Sequence, residues 1–146
     1  MRVETMEVFP EADVRRDATV WDVRDYSYTE RYQDTHLWLK KYRPYSDNNK
    51  DCPTSKNLNY NNHKRIYRYA ETLLNAAELI VLTGGNSADG LNYLNQVRTR
   101  AGLAGYTECN IDNILNERHL EFCGEGKRYF DLVRTGYAAI ARVPDQ

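Results

Sequence analysis

The sequence has 146 residues, with 20 lysines and arginines against 21 aspartates and glutamates. That is one domain's worth of chain with a formal charge of −1 and no bulk field aimed at nucleic acid or an anionic membrane. Mean hydropathy is −0.78 and no apolar run is long enough for a membrane-spanning helix.

Three cysteines, Cys52, Cys109 and Cys123, make an odd set without a CxxC spacing, so free thiols are expected, not a disulfide framework or a zinc site. Met1 is followed by charged residues and not by a basic-then-apolar leader. The chain therefore reads as a cytosolic protein or as a piece of something longer. Twelve tyrosines and two tryptophans exceed what a small core accommodates, since each buried hydroxyl needs a partner, so some belong on a surface.

In the first part of the chain, ATVWDV (Ala18 to Val23) and HLWLKKY (His36 to Tyr42) alternate at period two, which predicts short half-buried strands. Arg43 to Asn62 is rich in Asn, Asp, Ser and Pro and reads as a long polar loop. Residues 1–62 are thus expected to be an irregular, aromatic-rich segment, and residues 63–146 a helical region.

From Ile66 the period changes. Ile66, Tyr69, Ala70, Leu73, Leu74, Ala77, Ile80 and Val81 step by three and four and predict one amphipathic helix, stopped by TGGN at Thr83 to Asn86. Ser87 is placed as the cap of a second helix in which Ala88, Leu91, Leu94 or Asn95, and Arg98 share a face, ending at Gly102. The short link between them requires an antiparallel pair. Asp112 is placed as the cap of a third helix, GEG at Gly124 to Gly126 breaks it, and Arg128 opens a fourth. The expected fold class is mainly α, with tetratricopeptide-like helix pairs following a segment of short strands. Two such pairs cannot bury their faces alone, which suggests part of a larger array.

The third helix carries a dense charged cluster. Glu117 and Glu121 are four apart and share one ridge, at about 5 to 6 Å between β-carbons. A retaining glycosidase sets its carboxyls about 5 to 5.5 Å apart, but two side chains leaving one helix in the same direction cannot flank a glycosidic bond. The reading preferred is a structural joint, in which Arg118, Arg128 and Arg134 pair with Glu117, Glu121 and Asp131 across the glycine turn. Cys123 beside His119 reads as a small core residue and not an activated thiolate. ERHLE lacks the H-E-x-x-H order of a zinc helix, and His36 and His63 have no partner pattern, so neither metal nor cofactor is expected.

Trp21, Tyr26, Tyr28, Tyr32, Trp38, Tyr42, Tyr45 and Tyr60 crowd the non-helical part among Asn, Asp and Arg. That composition suits stacking on sugar rings or peptides. Trp21, Trp38, Tyr42 and Tyr45 are the candidate ligand-binding residues, with packing of the strands onto the helices as the alternative role for the tryptophans.

RYAETLLNAAEL, LNYLNQVRTRAGL and ILNERHLEFCGEGKRYFDLVRTG occur in the order of motifs found in the C-terminal region of the SusD/RagB family, and DVRRDAT is similar to that family's lead-in. The resemblance implies a non-enzymatic outer-membrane lipoprotein that captures oligosaccharides or peptides above a SusC-like TonB-dependent transporter. It also implies that the charged cluster is a fold joint, and that lipid anchor and leader lie in a longer parent. His119 and Tyr129 stand where the family commonly has arginine and tryptophan. The competing expectation is a helical-repeat adaptor that binds a protein partner.

Overall fold

The computed structural model describes residues 7–30, 32–43, 61 and 63–137. In chain order the elements are α1 (Arg15–Thr19), β1 (Val20–Asp22), β2 (Leu37–Leu39), α2 (Tyr69–Thr83), α3 (Ser87–Arg100), α4 (Ile111–Glu121) and α5 (Arg128–Arg134). The protein is mainly helical, with one small antiparallel sheet.

α1 runs directly into β1, which pairs with β2 in the register Val20↔Leu39, Trp21↔Trp38 and Asp22↔Leu37. Because successive strand residues face opposite sides, this register decides which side chains reach the core. Val20 and Leu37 are buried and pack with Phe9, Leu120 and Cys123, seating the sheet on the end of α4.

α2 and α3 form the antiparallel hairpin that the short link demands. Gly84 closes α2 in the left-handed region (φ 67°), and Gly85 N–H donates to Ile80 O at 3.0 Å. Their shared core is Ala70, Leu73, Leu74 and Ala77 of α2 with Leu94 and Val97 of α3, completed by Ile114 of α4 and by Phe122. Leu74, Leu94 and Ile114 are fully buried, each contributing about 1.5 to 3 kcal/mol of apolar burial.

Several details differ from the expectation. α2 begins at Tyr69, not near Ile66, because residues 63–68 run without regular structure and Arg68 is extended (φ −152°). Ile66 is 77% exposed and Tyr69 lies on the outer side of the first turn, also exposed. Asn86, not Ser87, caps α3 by accepting from Ala88 N–H at 3.1 Å, and Asn110, not Asp112, caps α4 by accepting from Asn113 N–H at 2.8 Å. Asparagine caps as well as serine or aspartate; α3 takes Ser87 as its first residue, and α4 starts at Ile111, one residue before Asp112. The inward ridge of α3 is Gly90, Leu94 and Val97; Ala88 is exposed and Arg98 reaches a carboxylate of α4.

Cys109 and Cys123 are free thiols, and Cys52 lies outside the described residues. The loop predicted at Arg43 to Asn62 lies almost wholly outside them too. No described helix is long and apolar enough to cross a membrane.

Candidate functional site

α4 presents its charged residues on two sides. Glu117, 0% exposed, accepts from Arg15 Nη1 at 2.6 Å and from Arg98 Nη1 at 3.2 Å. One turn later, Glu121 accepts from Arg15 Nη1 at 3.0 Å, from Arg100 Nη2 at 2.6 Å and from Arg68 Nη1. Burial by itself pushes the Glu121 carboxyl up, but Arg68, Arg100 and Arg15 outweigh it and hold the group below the usual carboxylate range. On the adjacent side, Arg118 donates to Asp131 of α5 at 2.9 Å and to Asn75 of α2 at 2.7 Å. Asp131 also accepts from Arg134, which ties on to Glu78 of α2.

The pairing across the glycine turn therefore forms between Arg118 and Asp131, with Arg134 joining Asp131 from within α5, while the partners of Glu117 and Glu121 differ from those expected. They are Arg15, Arg68, Arg98 and Arg100, brought from α1, the start of α2 and the end of α3. Arg128 forms no ion pair among the described residues and instead donates to Leu115 O at 3.1 Å. The physical reason is the helical screw: Glu117 and Glu121 share the ridge facing α3 and α1, whereas Arg118 is turned toward α5 and α2. Arg15, Arg68, Arg98 and Arg100 stand in RRDAT, RYAET and VRTR, too far along the chain from α4 for proximity in sequence to pair them with Glu117 and Glu121.

A carboxylate held ionised by three guanidiniums does not supply a proton at neutral pH, so Glu121 is unsuited to general acid work. Nor is Cys123 an activated thiol, because burial raises it, with Lys41 opposing only in part. His119 is held neutral, by burial first and Arg128 second.

The second feature is an aromatic shelf on the sheet. With Val20 and Leu37 turned into the core, Trp21 and Trp38 stand directly opposite each other on the other face, at 6.1 Å and 86°. Tyr26 meets Trp21 edge to face at 5.4 Å, and Tyr28 meets Trp38 at 5.1 Å. Tyr28 is fixed by a 2.6 Å hydrogen bond between its hydroxyl and His36 Nδ1. The two tryptophans are not equivalent. Arg43 lies 4.1 Å over the Trp21 ring, while Trp38 is 41% exposed.

Tyr42 is apart from the shelf. Its hydroxyl lies 3.5 Å from Arg65 O, and it lines a cleft of about 230 Å³ between the sheet and the helices. Tyr45 and Tyr60 lie outside the described residues. Among the described residues no group of His, Cys, Asp and Glu is arranged to hold a metal ion.

An αα-hairpin backed by a second pair, α4 with α5, and joined through buried ion pairs defines a tetratricopeptide-like helical protein. The chain belongs to the SusD family, which it matches over residues 10–143. It is similar to the surface glycan-binding protein A of Bacteroides uniformis, at 60% identity and a TM-score of 0.84, over 93% of this chain and 29% of that one. The surface glycan-binding protein A of Bacteroides thetaiotaomicron, in complex with laminarihexaose, is 52% identical with a TM-score of 0.89, over 99% of this chain and 33% of that one. A SusD-like protein of Bacteroides ovatus is 27% identical over 143 residues, 90% of this chain and 26% of its own length. The chain thus spans about a quarter to a third of the proteins it resembles.

Proposed function

We propose that this chain belongs to a non-enzymatic, surface-exposed glycan-binding protein that takes laminarin-type oligosaccharides and delivers them to a SusC-like TonB-dependent transporter. The observation that carries this reading is the 52% identity and 0.89 TM-score to a protein in complex with laminarihexaose. The placement at the outer membrane through a lipid anchor, and the transporter partner, rest on membership of the SusD family. The ion-paired joint supports binding over catalysis, since its carboxylates are committed to guanidiniums.

Within this reading the helices are scaffold and the shelf is a ligand surface. Trp38 is the ring that stacks on a sugar, because its neighbours meet it edge to face and leave it exposed. Trp21 supports it from the opposite strand under Arg43. Tyr42 and Tyr45 are secondary candidates. The adaptor alternative is disfavoured by the same likeness to glycan-binding proteins.

The test is calorimetry of the full-length protein with laminarihexaose, followed by chromatography of the recovered sugar. Saturable binding with the hexasaccharide returned intact is the expected result. Absence of binding, or shorter products, would remove the proposal.

A further inference from the structure

The cleft beside the sheet has features that neither the joint nor the shelf uses. Five basic side chains line it, against the two carboxylates Glu121 and Glu125. Arg15 is occupied by Asp13, Glu117 and Glu121. Arg68 and Lys41 are locked onto Glu125 at 2.8 Å each, and both also reach Glu121 O. That leaves two cations with capacity to spare. The Arg65 side chain has no partner among the described residues, and Arg100 spends only Nη2, on Glu121.

A second observation stands at the same wall. Thr19 is fully buried, lines the cleft, and its Oγ1 has no hydrogen-bond partner. It is the buried side-chain polar atom left unsatisfied among the described residues. A buried hydroxyl without a partner is costly, so such an atom beside cations with donors to spare points to a polar group that would complete the cleft. The sign of the surroundings says what kind: guanidiniums in excess favour an oxyanion, which can accept from each of them. The space, about 230 Å³, lies just under the roughly 300 to 1,000 Å³ of drug-sized sites, so it admits a small ion or one terminal unit of a longer chain.

We propose that the cleft between α1, the segment after β2 and the ends of α2 and α3 binds a single oxyanion, held by Arg65 and Arg100 with the Thr19 hydroxyl as a further donor. Such a site is separate from the aromatic shelf and serves a charged group that a neutral glucan lacks. Two sources offer that chemistry: a free inorganic anion, or the charged end unit of an acidic glycan.

The experiment uses calorimetry and thermal melts of the full-length protein with sodium sulfate, sodium glucuronate and glucose, at ionic strength matched with sodium chloride. Sulfate stabilises proteins in general at high concentration, so the informative effect is one that saturates at millimolar anion. Saturable binding of sulfate, with none of glucose, is expected. Binding of glucuronate as well would assign the site to acidic glycans, and sulfate alone to free inorganic anions. Arg65→Gln, at an exposed side chain outside the joint, should weaken the anion about tenfold or more, as loss of a charge-assisted hydrogen bond does. Thr19→Val should weaken it too, while leaving laminarihexaose binding unchanged. Equal melting in sulfate and chloride, or undiminished anion affinity in Arg65→Gln, would overturn the proposal.

Discussion

Arg15 and Glu117 are 102 residues apart in the chain and meet at 2.6 Å in the fold. Through that contact the segment before the sheet is pinned to the centre of α4, and Glu121, one turn on, collects Arg68 and Arg100 from the ends of α2 and α3. The joint is thus a hub where the chain's distant parts are fastened to one helix. Its value lies in mutual satisfaction, because a buried charge is tolerable only while its partners remain.

Breaking the hub should unfold the protein. Glu121→Lys places a cation among Arg15, Arg68 and Arg100, and removing one partner of a buried pair costs about 3 to 5 kcal/mol. A urea or thermal melt should show a large loss of stability. If the variant melts with the parent, the joint is not what holds α4 in place.

Acid should destabilise the protein in two stages. Burial lowers His119 first and Arg128 adds to it, so its stability contribution is present above its unfolded value, about 6.5, and is lost as pH falls toward the depressed folded value. Glu121 and Glu125 are raised by burial but lowered further by Arg68 and their other cations. Their contribution is present above about pH 4.3 and is lost as pH falls through their lower folded values. Urea midpoints at about pH 7.5, 5.5 and 3.5 should fall shallowly and then steeply. His119→Gln should remove the shallow stage, and a flat or rising profile would contradict this account.

The glycine turn between α4 and α5 separates two costs. Gly124 (φ 78°) and Gly126 (φ 76°) both occupy the left-handed region, so alanine at either costs about 1 to 2 kcal/mol. A β-carbon at Gly126 meets open space, whereas one at Gly124 runs into Leu39 of β2. Gly124→Ala should therefore be the less stable variant, by about a further 1 kcal/mol or more. Equal melts would mean that Leu39 does not press on the turn.

On the shelf, Trp38→Ala should weaken laminarihexaose more than Trp21→Ala in the full-length protein. Loss of one stacking ring is worth about 0.5 to 1.5 kcal/mol, up to roughly tenfold in Kd. Trp21, already under Arg43, should matter less for binding and more for the sheet. Two variants that bind like the parent would place the ligand face elsewhere.

The two short strands and the helices α2 to α5 follow from local pattern, because period two and period 3.6 are set by neighbours a few residues away, although Ala18 and Thr19, read as strand, close the short helix α1. The sequence also carried the glycine stop after α2 and the free thiols Cys109 and Cys123. Which face each tryptophan occupies needed the register of the sheet, since Trp21 and Trp38 turn outward only because Val20 and Leu37 enter the core. The partners of Glu117 and Glu121 needed the fold as a whole. Sequence proximity favoured Arg118, Arg128 and Arg134, but the screw of α4 points those carboxylates at Arg15, Arg68, Arg98 and Arg100, arginines that only packing brings within hydrogen-bond reach.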